Sequence, residues 1–282
     1  MRYIHGKYRD TDSLKNVYKK NKPFPHIVLD DFIEKDFLNK ILDEFPDIST
    51  LENKRKFNEH KQIKFGSIGF GDLSESASEL ISFFNTDIFL KYLQNITGIK
   101  ETLISDPYLS GGGYHEIKNG GVLKVHADFN RHPLLDLDRR VNLLLYLNKN
   151  WKEEWGGNLE LYSPVDLDRP VVKVTPEFNR CVIFNTTSYT YHGHPENISC
   201  PEEVSRKSIA LYLIKPNNSE SIKLAKEALK GNPNYFFEGF QAEQLWGEKL
   251  RESGKMLFKN PKLKDVINTA SANSSFTNEK DP

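Results

Sequence analysis

The chain has 282 residues, of which 38% are hydrophobic, 12% aromatic and 28% charged, a composition that predicts a globular protein with a sizeable core. Lys plus Arg and Asp plus Glu both number 39, so charge gives no reason to expect binding to nucleic acid or to an anionic membrane. No run reaches the roughly 18 apolar residues of a membrane span. Two cysteines, Cys181 and Cys200, are too few for a disulfide framework or a Cys-rich zinc site. We therefore expect a cytoplasmic protein with two reduced thiols.

The N-terminal part of the chain predicts helices that support a larger domain. Residues 1–22 are polar, lack the apolar core of a signal peptide and predict a loosely ordered lead-in. Residues 23–104 predict a helical support region that opens with a short buried strand over 23–30. Within it, apolar residues at helical spacing predict three helices, over 34–45, 76–84 and 87–96. The charged, Gly- and Ser-rich segment 47–77 predicts a long loop that covers a site, with a strand near 63–68.

Residues 105–216 change to short β-type runs separated by Gly, Asn, Pro and Asp. The predicted strands are 122–125, 141–147, 158–162, 171–174, 181–185 and 208–214. Several short strands with turn signals between them are typical of a sandwich or barrel. With helices in front, the sequence predicts an α+β chain whose sheet part is a jelly roll.

The C-terminal part predicts helices and then a tail without structure. Residues 217–267 predict a helical extension, which could serve packing or dimerisation. Residues 268–282 are rich in Ser, Asn and Thr and predict a disordered tail. The sequence leaves the oligomeric state open.

Four polar side chains in the β-rich part predict a metal site. His126 and Asp128 are two residues apart in a β-type context, so both side chains point to one face of a strand. Two histidine nitrogens and one carboxylate, with positions left open, form the facial triad of non-haem Fe(II) oxygenases. The third ligand comes from a later strand, where His192 and His194 compete.

A cation for a second carboxylate is predicted on another strand. Arg206 opens the apolar run that ends at Ile214, and its planar guanidinium pairs a carboxylate bidentately. Ser208 shares its strand face and can add a hydroxyl contact. Tyr146 can offer its phenol to the same carboxylate, although a role in the core is nearly as economical.

Together these residues resemble the prolyl 4-hydroxylase-like branch of the Fe(II)/2-oxoglutarate-dependent dioxygenases. Six blocks match in order: residues 120–128, 145–151, 156–161, 178–184, 191–195 and 206–212. The resemblance implies a double-stranded β-helix, Fe(II), 2-oxoglutarate and O₂ as cofactor and co-substrates, and ascorbate as a reductant. It implies that His126, Asp128 and His192 bind the metal, because in the family the ligand directly follows an aromatic residue. It also assigns Arg206 to the distal carboxylate of 2-oxoglutarate, with Tyr146 beside it.

The expected reaction is hydroxylation of an unactivated C–H bond, with succinate and CO₂ as co-products. Ile117 stands where many relatives have a tyrosine, so Tyr114 or His115 substitutes or the near carboxylate of 2-oxoglutarate is held differently. Substrate contacts are predicted at the mouth of the site, at Asn130, Arg139, Arg140 and Asn158. The substrate itself stays open among a peptidyl proline, an amino acid and another small molecule. Two alternatives are a jelly-roll hydrolase or isomerase that uses zinc or manganese, and a module that binds 2-oxoglutarate without catalysis.

Overall fold

A computed structural model describes residues 1–51, 54–57, 64–104, 106, 109–128 and 137–216. The helices in these ranges are α1 (Thr11–Lys20), α2 (Lys35–Asp43), α3 (Glu75–Phe84) and α4 (Asp87–Thr97). The first strands are β1 (His26–Leu29), β2 (Lys54–Phe57), β3 (Lys64–Ser67), β4 (Gly113–Ile117) and β5 (Leu123–His126). The remaining strands are β6 (Leu137–Tyr146), β7 (Leu159–Ser163), β8 (Asp166–Val174), β9 (Cys181–Asn185), β10 (Tyr191–His194) and β11 (Arg206–Pro216).

The strands form two antiparallel sheets. The larger sheet has the order β1-β9-β6-β11-β4-β3-β2, and the smaller sheet has the order β5-β10-β7-β8. An apolar cluster that includes Tyr146, Leu161 and Phe184 joins the two sheets beside the pocket. The predicted α+β class with a jelly-roll sheet is confirmed, because the two sheets face each other as in a double-stranded β-helix.

The helices pack on the other face of the larger sheet, where most of the buried apolar side chains lie. This cluster joins Leu80 and Phe89 of the helices to Leu143 and Ile209 of the sheet, all of them fully buried. Local signals set the helix ends. Thr86 caps α4 by accepting a hydrogen bond from the Phe89 amide, which satisfies one of the free N–H groups of the first turn.

The N-terminal segment differs from its prediction. Residues 1–22 are not a loose lead-in, because Thr11–Lys20 is a helix whose Asp10 cap accepts from the Asp12 amide. Tyr18 is fully buried and donates to Asn185 at 2.7 Å. The segment is polar overall, yet Leu14 and Tyr18 are buried on one face of the helix. Packing of this face against the sheet and α4 is enough to hold the helix in place.

The segment 47–77, predicted as a long loop with one strand, instead contributes the two paired strands β2 and β3, because its residues pair with each other and with β4. Several other expectations meet the structure with small shifts or lie beyond the described residues. The helices predicted over 76–84 and 87–96 are present as α3 and α4. The C-terminal extension 217–267, the tail 268–282 and Asn130 lie outside the described residues. Among the described residues, no helix is both long and apolar enough to cross a membrane.

Candidate functional site

A pocket between the two sheets collects most of the predicted site residues. Alternation along β11 turns Arg206, Ser208 and Tyr212 toward this pocket, whereas Ile209 and Leu211 point to the helices. The smaller sheet contributes side chains from β5 and β10 to the opposite wall. Because successive side chains of a strand point to opposite faces, the same strand contributes to the pocket on one face and to the helix-covered core on the other.

The structure brings His126, Asp128 and His192 together at one end of the pocket. His126 and His192 are directly opposite each other on neighbouring strands, and their ring centroids are 4.6 Å apart. The His126 Nε2 lies 3.3 Å from Asp128 Oδ1, and the His192 Nε2 lies 3.6 Å from Asp128 Oδ2. One ligand atom from each residue falls within 4.8 Å of the others. Two imidazoles and a carboxylate in this arrangement suit a divalent transition metal.

Supporting hydrogen bonds orient all three side chains. The Nδ1 of His126 lies 2.8 Å from the Lys124 carbonyl oxygen, and the Nδ1 of His192 lies 3.1 Å from that of Thr190. If each Nδ1 carries the proton, each Nε2 presents its lone pair to the centre of the triad. On the carboxylate, Asn142 donates its amide to Asp128 Oδ2, and Thr186 donates to the Asn142 oxygen at 2.7 Å. These residues fit a metal ion.

The electrostatics of the triad agree with this geometry. Burial lowers the pKa of His192 despite the nearby Asp128 carboxylate. Burial also lowers the pKa of His126, but the hydrogen bond and charge of Asp128 outweigh it, so that pKa lies above its usual value. Burial raises the pKa of Asp128, and the two histidines with Asn142 more than reverse this, so the carboxyl stays ionised. A neutral histidine and a carboxylate are the forms that bind metal. The lowered pKa values of His192 and Asp128 therefore favour binding, whereas an ion would have to displace the proton that Asp128 favours on His126.

Close backbone approach at Gly193 makes the histidine pair possible. A Cβ added there would lie 2.7 Å from the Leu123 carbonyl oxygen. Glycine therefore lets β10 approach β5 closely enough to place His192 opposite His126.

Arg206 occupies the other end of the pocket and is 6% exposed. Its Nε donates to the Gly157 carbonyl at 2.7 Å and its Nη2 donates to the Tyr146 hydroxyl at 3.1 Å. No carboxylate among the described residues forms an ion pair with it. A Cβ on Gly157 would meet Arg206 Cδ at 3.2 Å, which explains a glycine there. A buried guanidinium with N–H groups left over is suited to an anionic ligand.

Three further predicted residues fall at defined places. Tyr146 is fully buried and Ser208 is 2% exposed, and these two are paired opposite each other on β6 and β11. His194 is 3% exposed and lines the pocket, but it is not in the metal-ligand group. Burial, with Arg206 and Lys64 nearby, lowers the pKa of His194 well below its usual value.

Sequence reasoning missed two pocket residues, and the structure answers one question that the sequence left open. Lys64 lines the pocket from β3, where it lies opposite Ile117 of β4, which in turn lies opposite Arg206. Asn142 lies in the predicted strand 141–147 but outside the matching blocks, and nothing local shows that it holds Asp128. Between Tyr114 and His115, it is His115 that faces the pocket, since Tyr114 bonds Ser74 and contacts Phe45 on the helix side.

Among the three predicted mouth residues that the structure describes, Arg139 contacts a side chain that lines the pocket. Arg139 donates to the Ser110 carbonyl at 2.8 Å and its guanidinium lies 4.4 Å from the centre of the Tyr212 ring. That ring lines the pocket. Arg140 and Asn158 are half-buried, and neither is among the residues that line it.

The fold and the site define a double-stranded β-helix with a candidate metal centre facing a buried arginine. The family profile described as 2OG-Fe(II) oxygenase superfamily matches residues 112–214, the segment that carries both ends of the pocket. The predicted resemblance is confirmed, because residues 112–214 match the model of this superfamily.

Individual relatives agree with that assignment. The chain is 26% identical over 220 residues to a protein of Mus musculus named prolyl 3-hydroxylase OGFOD1. This match covers 75% of the chain but spans only 36% of the relative's length. Among solved structures, a Pseudomonas putida prolyl-4-hydroxylase matches with a TM-score of 0.50 and 18% identity over 72% of this chain and all of that one. A Phytophthora capsici prolyl 4-hydroxylase structure matches with a TM-score of 0.50 and 18% identity over 96% and 98% of the two chains. At these identities the solved structures support the fold.

Proposed function

We propose that the chain is an Fe(II)- and 2-oxoglutarate-dependent dioxygenase that hydroxylates an unactivated C–H bond. The overall reaction combines substrate, 2-oxoglutarate and O₂ and yields the alcohol, succinate and CO₂. The observation that carries the proposal is the arrangement of one pocket, with His126, Asp128 and His192 at one end and the Arg206 guanidinium at the other. A dicarboxylate with a keto group fits such a pair of ends, because one carboxylate can bind the metal and the other the arginine.

The residues have separate roles in this proposal. His126, Asp128 and His192 hold the ion, and the carbonyls of Lys124 and Thr190 keep both rings in the orientation that presents Nε2. Fe(II), when bound, supplies the activation of O₂ with electrons drawn from the oxo-acid. The protein contributes binding, orientation and exclusion of water.

At the inner end, Arg206 binds the distal carboxylate and Tyr146 supports the guanidinium through its hydroxyl. Ser208 lies in the same pocket wall and adds a hydroxyl toward the co-substrate. Desolvation strengthens each of these interactions, because the pairs lie away from bulk water. An alternative enzyme that hydrolyses its substrate with zinc would have no use for this buried arginine.

The substrate class extends from a peptidyl proline to an amino acid or another small molecule. The name of the mouse relative makes prolyl peptides the first candidates to test. We also propose a cytoplasmic location, supported by the two buried free thiols of Cys181 and Cys200, which are common where disulfides do not form. Ascorbate is the proposed reductant, and its addition should increase the total number of turnovers.

The test is anaerobic loading of the purified chain with Fe(II) and 2-oxoglutarate, followed by O₂ and measurement of succinate and CO₂. Prolyl peptides and free amino acids are added in parallel, and products are searched for a mass gain of one oxygen. Metal-dependent formation of succinate supports the proposal. Failure to bind 2-oxoglutarate in the presence of Fe(II), together with hydrolase activity with Zn(II), would instead establish the zinc alternative.

A further inference from the structure

His194 is a buried histidine whose ring nitrogens are left without a well-formed hydrogen bond in the part of the chain that the structure describes. It is 3% exposed, and although the backbone of Glu196 lies close enough to act on the ring, no hydrogen bond of normal geometry reaches Nδ1 or Nε2 from the described residues. Buried polar side chains are nearly always hydrogen-bonded in proteins, so the unsatisfied ring nitrogens are available to a ligand, an ion or water. A purely structural histidine would gain more from a partner in the protein, as His26 does through the Phe24 carbonyl at 2.8 Å.

The position of His194 on β10 places it in the same pocket as the metal triad but outside that group. It lies two residues after His192, on the same face of the strand, and is opposite Leu123, whereas His192 is opposite His126. Successive residues on one strand face are about 6.6 Å apart. His194 is therefore one step further along the pocket than the metal ligands.

The charges around His194 belong to the inner end of the pocket. Arg206, Lys64 and His194 line one pocket, and the two cations help to lower the pKa of the His194 ring. Asp128 supplies the carboxylate among the pocket-lining residues, and it is already engaged by both metal histidines and by Asn142. An added anion near Arg206 would neutralise this end and would also give His194 an acceptor.

We propose that His194 donates a hydrogen bond to the same distal carboxylate of 2-oxoglutarate that Arg206 binds. This inference rests on the proposed function and adds a co-substrate-binding residue to it. His194 then makes the smaller sheet a second wall of the carboxylate site, whereas Arg206, Tyr146 and Ser208 all belong to the larger sheet.

The test measures binding by calorimetry, with Mn(II) replacing Fe(II) so that no turnover occurs. His194→Ala should weaken binding of 2-oxoglutarate by about 10- to 100-fold, as expected for loss of a hydrogen bond to a charged group. His194→Gln keeps a donor and should recover part of that affinity. The Mn(II) affinity measured without the oxo-acid should equal that of the unchanged protein, which excludes a general disruption of the site.

A second ligand tests which carboxylate is contacted. In 2-oxopentanoate a methyl group replaces the distal carboxylate, so His194→Ala should leave its affinity unchanged. An equal loss for both ligands, or no loss for 2-oxoglutarate, would overturn the assignment of His194. Both outcomes would leave the proposed function intact, provided that the unchanged protein binds 2-oxoglutarate in the presence of metal. If the unchanged protein binds no 2-oxoglutarate with metal, the proposed function itself fails.

In turnover assays His194→Ala should raise the KM for 2-oxoglutarate far more than it lowers kcat. A residue that acts only through packing would instead lower the thermal stability and affect both constants. Thermal unfolding of His194→Ala and His194→Gln, measured without ligands, separates these outcomes.

Discussion

The two sheets differ in how they are supported, and the difference separates stability from chemistry. The outer face of the larger sheet is covered by helices, and side chains such as Leu143 and Ile209 are fully buried there. In the smaller sheet, the edge strand β8 is open on its outer side, where Leu167 and Val171 are 43% and 51% exposed. Nevertheless, the metal-binding histidines proposed above belong to the smaller sheet. The less supported sheet therefore depends on bonds from the larger one to keep its ligands in place.

The largest effect is expected from the metal ligands themselves. His192→Ala should reduce metal affinity by more than about 100-fold, which is the upper limit for loss of a residue that merely supports a ligand. Calorimetric titration with Mn(II) in the absence of oxo-acid measures this. His194→Ala is the matched control on the same strand and should retain the affinity. Equal losses in the two variants would mean that the triad has been assigned to the wrong histidine.

Arg206→Ala tests the larger sheet's contribution to ligand binding. Its removal should weaken 2-oxoglutarate binding by about 2–5 kcal/mol, because the carboxylate would lose a buried charged partner. This corresponds to roughly a 30- to several-thousand-fold change in Kd. The control is Arg180→Ala, whose guanidinium pairs with Asp30 and Glu177 away from the pocket. An unchanged Kd in Arg206→Ala would show that another cation binds the distal carboxylate.

Unfolding experiments compare the supported and open faces directly. Ile209→Ala should lower the free energy of unfolding by about 2–5 kcal/mol, since it leaves a cavity in the main core. Val171→Ala removes a half-exposed side chain of the smaller sheet and should change the free energy of unfolding by no more than about 0.5 kcal/mol. Urea denaturation measures both. Similar losses would contradict the view that stability lies in the larger sheet.

Asn142→Ala removes the bond by which the larger sheet holds Asp128. Metal affinity should fall by about 10- to 100-fold, as is typical for residues that orient a ligand. Thr186→Val, which removes only the hydroxyl behind Asn142, should have a smaller effect in the same Mn(II) titration. If neither variant changes the affinity, the smaller sheet positions Asp128 without help.

The smallest effect is expected from pH. Burial lowers the pKa of Lys64 to about 8, with Asp128 acting in the opposite direction. The ammonium is charged below that pH and neutral above it, so 2-oxoglutarate affinity should fall as pH rises from 7 to 9, by roughly tenfold at most. Lys64→Met should bind more weakly at pH 7 and show a flatter profile. A parallel pH dependence in both proteins would exclude Lys64 as its source.

The sequence predicted the ends of the pocket because these depend on local spacing. A separation of two residues places His126 and Asp128 on one strand face, and a glycine-rich block with a later arginine completes the family pattern. The two helices α3 and α4 were also predictable, since cap residues and apolar periodicity coincide at Thr86 and Gly98.

What the sequence did not show depends on partners far away in the chain. Strand β4 has no apolar run, and it forms a strand because β3 and β11 pair with it on both sides. The position of Lys64 in the pocket follows from the register of β3, which local spacing does not encode. Local spacing does not encode the role of Asn142 either, because its amide meets Asp128 only when the two sheets pack face to face.

The hydrogen-bond series from Thr186 through Asn142 to Asp128 crosses from one sheet to the other. An ion held by Asp128 and the two histidines is therefore linked to the contact between the halves of the β-sandwich. Because a ligand that binds only the native state stabilises it by mass action, a chelator should lower the melting temperature as well as inhibit. Metal supply would then govern how long the chain survives in a cell, apart from any turnover it supports.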